Sequence, residues 1–180
     1  MGRRESSLGR STLVGDVGFG APLNTNTISG NGTLGTGTLG GIFAYESGTI
    51  FVNNATISNN TGPGVNAYHG GVIELRGTTA VTVPASGSTP GASVGFGSLL
   101  GMRGPASIVS ATSDGIQISD MSAFRMPTGN ANTIQGNGPG AHGINCFNDN
   151  QLTASAVTVV GDLSNVTGSA GPTIGCNVFP

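Results

Sequence analysis

Asp114, Asp120 and His142 are the residues of this chain whose types best suit proton transfer. One carboxyl group can protonate a leaving oxygen, a second carboxylate can activate water, and an imidazole titrates near neutrality and can assist either. Asp114 and His142 sit in matching contexts, Ser113-Asp114-Gly115-Ile116 and Ala141-His142-Gly143-Ile144. The same contexts open turns, where a side-chain oxygen or imidazole caps the bend, and the turn reading explains them with no chemistry at all. Metal chemistry has less to work with. The carboxylates are dispersed along the chain, whereas a hard cation needs several oxygens in a compact cluster. His69, His142, Cys146 and Cys176 follow no zinc-ligand spacing. Neither a metal site nor a cofactor is expected.

Gly30-Asn-Gly-Thr-Leu-Gly35 and Gly35-Thr-Gly-Thr-Leu-Gly40 both fit the spacing of a phosphate-cradling loop. That loop works only where a helix follows and aims its N-terminus at the phosphates. Here Ile42-Phe-Ala-Tyr45 follows, a strand pattern, so nucleotide binding is rejected. Cys146 and Cys176 are the only cysteines; they either form one bridge or remain two buried thiols, and the sequence leaves both open. Four Asn-x-Ser/Thr sequons, at Asn31, Asn54, Asn59 and Asn165, are unremarkable in a chain this rich in Asn and Thr. Thr-x-Thr pairs at Thr25/Thr27 and Thr36/Thr38 suggest ice-binding arrays, but no regular file of them is evident.

The elements that must position these residues are dictated by composition. Of 180 residues, 33 are Gly, there is no Trp, and charged residues make up 8%; an ordinary domain carries roughly 25%. Such a chain lacks the strong helix formers that a bundle needs. With 36% apolar residues and a net charge of −2 it also lacks the charge that keeps a disordered chain in solution. Six scattered arginines and a pI near 5.4 make no basic track for a phosphate backbone, so nucleic-acid binding is not expected. No apolar stretch approaches the roughly 20 residues of a membrane span, and no membrane insertion is expected. Residues 1–20 are polar, lack the apolar core of a secretory signal, and read as a tail or partial cap. Met1-Gly2-Arg3-Arg4-Glu5-Ser6 fits the loose N-myristoylation pattern, which is too short to carry weight.

An internal repeat organises residues 21–180. Asn26-Thr-Ile-Ser-Gly-Asn31, Ala55-Thr-Ile-Ser-Asn-Asn60 and Asn132-Thr-Ile-Gln-Gly-Asn137 resemble one another, and each leads through a Gly-rich turn to a second matching segment. In the second segments Ile42, Val65 and Ile144 coincide, as do Ala44, Ala67 and Cys146, then Tyr45, Tyr68 and Phe147, then Ile50, Ile73 and Leu152. Apolar residues alternate within short runs bounded by Gly, Asn, Ser or Pro, which is the pattern of strands separated by bends. Stacked coils would place Ile over Val over Ile, with Asn54, Asn59 or Asn60 bonding between turns. Ile42 and Ala44 share parity, which puts Tyr45, Tyr68 and Phe147 outside, where an aromatic file can stack on sugar rings. The stretch Pro84 to Pro105, dense in Gly, Ser and Pro, reads as a long irregular loop.

The run Gly-Ile/Val … Ile-x-Val … Ile-Ser-x-Asn, as in Gly41 to Asn60, resembles the right-handed parallel β-helix repeat of the pectin-lyase-like superfamily. That superfamily includes pectin-degrading enzymes, phage tailspikes and bacterial surface proteins. The resemblance covers 41–83 well and 114–160 loosely, and it implies an all-β solenoid of about six or seven coils. Segments around Asp114 and His142 are also similar to two motifs of the polygalacturonase branch, which implies a hydrolase groove holding Asp114, Asp120 and His142. The adjacent Asp pair and the Arg-x-Lys motif of that branch are missing, and the chain has no Lys. The sequence therefore reads as a non-catalytic extracellular or cell-surface module, adhesin-like or filament-forming, associating with itself or with more of a longer chain. A polysaccharide hydrolase or lyase, or a glycan-binding module using Tyr45, Tyr68 and Phe147, is the alternative.

Overall fold

A computed structural model describes residues 11–14, 26–31, 40–84, 89–129, 131–147, 158–161 and 163–179. The described residues form three parallel sheets and no helix, wound as a β-helix of about five turns. Each turn contributes one short strand to each sheet. Sheet A stacks Ser11–Val14, Thr49–Asn53, Val72–Arg76, Leu99–Arg103, Ala123–Met126, Thr158–Gly161 and Asn177–Phe179. Sheet B stacks Asn26–Ser29, Ala55–Ser58, Ala80–Val83, Ser107–Ser110, Thr133–Gly136 and Val166–Gly168. Sheet C stacks Ile42–Tyr45, Val65–Tyr68, Ala92–Val94, Ile116–Ser119, His142–Phe147 and Gly171–Ile174.

The repeat maps directly onto the pairing. Asn26 lies opposite Ala55 in sheet B, and Ile42 opposite Val65 and Tyr45 opposite Tyr68 in sheet C. Alternation sends every second side chain inward, so the core is a set of columns running along the coil axis. Ile57, Val81, Ile108 and Ile134 form one from sheet B; Ile73, Leu100, Phe124 and Val159 form another from sheet A, and all eight are 0% exposed. Burying each such side chain contributes roughly 1.5–3 kcal/mol, and each column member is in contact with the same position of the next turn.

Asparagines bind the turns together as expected for two of the three positions. Asn54 Oδ1 accepts the Thr78 backbone N–H at 3.0 Å, one turn on. Asn60 Oδ1 accepts the Asn31 N–H at 2.9 Å, and its Nδ2 donates to the Ile28 carbonyl at 3.3 Å, one turn back. Asn59 contributes its carbonyl instead, accepting the Gly30 N–H at 3.3 Å.

A glycine column turns the chain from sheet B into sheet C: Gly41, Gly64, Gly91, Gly115 and Gly143 precede equivalent strand positions. Space, not left-handed backbone, requires glycine here. A Cβ on Gly91 would lie 2.4 Å from Ile108 Cγ2, and one on Gly64 would lie 2.2 Å from Val81 Cγ1. The corner passes so close to the sheet B core column that one methyl group would overlap it.

Three readings change. The segment 84–105 is no irregular loop: Ala92–Val94 and Leu99–Arg103 are strands within sheets C and A, burying Ala92, Val94, Leu100 and Met102. Residues 85–88 lie outside the described residues. Within 1–20, Ser11–Val14 forms a sheet A strand against Thr49–Val52, so this part is coil and not tail. Finally, the sheet A position assigned to Leu152 is filled by Val159, which lies opposite Phe124; Leu152 itself falls outside the described residues. Val159 follows Phe147 by twelve residues, where Ile50 follows Tyr45 by five.

Candidate functional site: an aromatic corner

The bend from sheet C to sheet A is built the same way in successive turns. Two consecutive residues adopt left-handed backbone: Glu46 and Ser47 (φ 50° and 64°), His69 and Gly70 (50° and 78°), Phe96 and Gly97 (54° and 70°), Asp120 and Met121 (50° and 58°). Tight turns with φ positive at both central positions normally select Asn, Asp or Gly. The Gly48 N–H donates to the Tyr45 carbonyl at 3.0 Å and the Gly71 N–H to the Tyr68 carbonyl at 3.1 Å, closing the bends. Neighbouring bends are also joined along the axis. Ser47 N–H donates to the His69 carbonyl at 3.1 Å, Gly70 N–H to Phe96 at 2.9 Å and Gly97 N–H to Asp120 at 2.8 Å. Glu46, His69, Phe96 and Asp120 therefore project as one file at the spacing of neighbouring strands, roughly 4.8 Å.

Rings crowd this corner. The Tyr45 and His69 centroids are 5.0 Å apart and edge-on, Tyr68 and Phe96 are 4.9 Å apart, and His69 and Phe96 stack at 4.9 Å with planes 4° apart. Phe43 joins by stacking on Tyr45 at 5.5 Å. Tyr45 and Phe96 remain 43% and 46% exposed, so the cluster is an outside surface. Such ring pairs hold one another with about 0.5–1.5 kcal/mol beyond burial. Burial, with the Asp120 carboxylate adding to it, raises the Tyr68 phenol above its ordinary 10.0.

Tyr45 and Tyr68 are thus outside and in register, with Ala44 and Ala67 inside. Phe147 does not join them. It lies opposite Ser119, and Gly95 and Ser119 occupy the two turns between it and Tyr68. Gly95 is needed because the Tyr68 ring covers it; a Cβ there would lie 2.8 Å from Tyr68 Cε2. His69 and Phe96 are the members that sequence reasoning missed. Their signal was an aromatic residue followed by Gly, one or two residues past the strand, in His69-Gly70 and Phe96-Gly97.

Asp114, Asp120 and His142 are only partly brought together. Asp114 and His142 meet at the bend between sheets B and C, with His142 Nδ1 3.7 Å from Asp114 Oδ1. Asp120 lies at the opposite end of the strand Ile116–Ser119, on the next bend. Six residues of extended chain make the separation on the order of 15–20 Å, whereas carboxylates sharing a glycosidic bond stand about 5–9.5 Å apart. Asp114 is buried and already engaged. Its Oδ1 accepts the His142 backbone N–H at 2.7 Å, and its Oδ2 accepts Gln117 Nε2 and Asn145 Nδ2, each at 2.9 Å. Asp120 accepts the Ser119 hydroxyl at 2.7 Å. The Asp114 cluster ties one turn to the next.

Cys146 and Cys176 form a disulfide, resolving the choice left by the sequence. No group of three or more His, Cys, Asp or Glu capable of holding a metal occurs among the described residues. The molecule belongs to the class of parallel β-helix proteins. Comparison with protein-family models, curated proteins and solved structures finds no match to this chain.

Proposed function

We propose that this chain is a non-catalytic β-helix module of the right-handed, surface-protein type, and that it binds carbohydrate at the aromatic corner. The exposed cluster of Tyr45, Tyr68, His69 and Phe96 carries this reading. Rigid rings with apolar faces and polar rims suit the apolar faces of sugar rings, and turns bonded in series pre-organise them at little entropic cost. Glu46 and Asp120 flank the file and supply acceptors for sugar hydroxyls. An extracellular or cell-surface setting agrees with the disulfide, since such bridges persist where the environment is oxidising.

Titration calorimetry against a panel of neutral oligosaccharides tests it. The double variant Tyr45→Ala/Phe96→Gly should weaken the best ligand at least about tenfold while the circular dichroism of the strands is retained; about 1.4 kcal/mol of lost stacking suffices. Unchanged affinity would sink the reading. A second reading, association along the coil axis, is favoured by Val178. It continues the buried column that contains Phe124 and Val159, yet is 43% exposed. A further coil, from a second copy or from more chain, would cover it. Sedimentation across a concentration series should then show growth; a constant monomer would reject self-association.

A further inference from the structure

Every arginine among the described residues projects from the outer face of sheet A. Arg76 and Arg103 lie directly opposite each other on paired strands, a juxtaposition that repels unless something neutralises it. Glu74 does so. Its side chain is 13% exposed and takes Arg76 Nη2 at 3.0 Å and Arg103 Nε at 2.6 Å. Arg76 is engaged again over the Phe51 ring, 4.2 Å from its centroid. Arg125 has no ion-pair partner among the described residues. It faces a shallow notch floored by Gly101, its partner in register, and walled by Val72, Leu99, Arg103 and Pro127. Two guanidinium groups share one carboxylate and the third has none among the described residues, a local positive excess on a chain of net charge −2.

We propose that this notch is an oxyanion site, in which Arg125 and the terminal nitrogens of Arg103 bind a carboxylate or sulfate group. Guanidinium offers a planar fork of donors that matches two oxygens at once. Arg103 is held in place by the ion pair of its Nε with Glu74 Oε1, which leaves its terminal nitrogens for a ligand. Gly101 leaves the space for it, because no side chain stands between Glu74 and Arg125, roughly 10 Å apart across the intervening strand. The notch begins where the aromatic corner ends: Val72 follows His69, and Leu99 follows Phe96, by three residues each. The anion is thus an acidic substituent of a saccharide whose ring lies at the corner. That coupling rests on the proposed sugar site, while the anion contact needs only the arginines.

Affinities are measured for three probes: a sulfated disaccharide, its neutral parent and inorganic sulfate. The sulfated sugar should bind at least about tenfold more tightly than the neutral one, and the difference should shrink as ionic strength rises. Arg125→Gln, which breaks no described ion pair, should remove the preference, as should Gly101→Asp. A Cβ at Gly101 lies 3.5 Å from Glu74 Cγ, an ordinary contact, so the second variant should fold. Equal affinity for charged and neutral sugars, or a preference that survives both variants, overturns the site. If inorganic sulfate binds as well as the sulfated sugar, and Phe96→Gly changes neither, the arginine site stands and its coupling to the corner is rejected.

Discussion

The imidazole of His69 lies face to face with the ring of Phe96 on the neighbouring turn, centroids 4.9 Å apart and planes 4° from parallel. Both residues occupy left-handed backbone, with φ of 50° and 54°. A side chain there costs on the order of 1 kcal/mol relative to glycine. Glycine would make a cheaper bend at either place, and stacking returns a similar amount. Fold stability alone therefore gives little reason for rings at this corner, which supports the proposal that they serve binding.

Phe96→Gly should accordingly leave the melting temperature close to that of the parent, because relief of backbone strain offsets the lost ring contacts to within about 1 kcal/mol. Thermal unfolding followed by circular dichroism checks this. A loss several times larger would mean that the ring holds the corner together.

Gly91→Ala should destabilise far more, although it adds one methyl group. Its Cβ would lie 2.4 Å from Ile108 Cγ2 and 2.7 Å from the Gly115 carbonyl oxygen. Overpacking of this kind costs about 1–3 kcal/mol, readable as a lower urea midpoint. Gly101→Ala, where the Cβ meets only ordinary contact distances, is the matched control.

Asp114→Ala leaves the donors of Gln117, Asn145 and the His142 backbone without their carboxylate. The expected cost is about 2–4 kcal/mol, with Asp114→Asn, which keeps one acceptor oxygen, intermediate. A carboxylate kept for catalysis would show the reverse pattern, with stability untouched and an activity lost. Denaturant titration of the two variants separates these roles.

Alkaline pH should weaken the fold through Tyr68. Burial, reinforced by Asp120, raises its phenol above 10.0, so the folded state keeps a proton that the unfolded chain releases. Its contribution is intact below pH 10.0 and is lost as pH rises through the raised value. Tyr68→Phe should flatten the alkaline decline of stability. Asp120→Asn should move the Tyr68 phenolate absorbance back toward 10.0 without fully restoring it, because burial is the larger cause. An alkaline decline that is the same in Tyr68→Phe contradicts this account.

Reduction should loosen the last turns first. Cys146 and Cys176 are 30 residues apart, and closing such a loop stabilises by about 3–4 kcal/mol in the chain-entropy account. Hydrogen exchange under reducing conditions should accelerate at Gly171–Ile174 and Asn177–Phe179, with the strands from Ala55 to Met126 unaffected. Uniform acceleration would show instead that the turns unfold as one unit.

The alternation of Ile42, Ala44, Ile50 and Val52, and its return at Val65, Ala67, Ile73 and Leu75, was enough to fix the coil and its inward columns, since period two allows one burial pattern. It also placed Tyr45 and Tyr68 outside. The strands Ala92–Val94 and Leu99–Arg103 escaped because local Gly, Ser and Pro signal turns, and only the turns above and below them supply the partners that make them strands. Whether distant residues share a surface was equally invisible. Asp114 and Asp120 look close at six residues' separation but lie on different bends, while Asp114 and His142, 28 apart, touch. His69 and Phe96 became partners through the length of the turn between them. Local pattern decides which way a side chain faces; the number of residues in each coil decides what it meets.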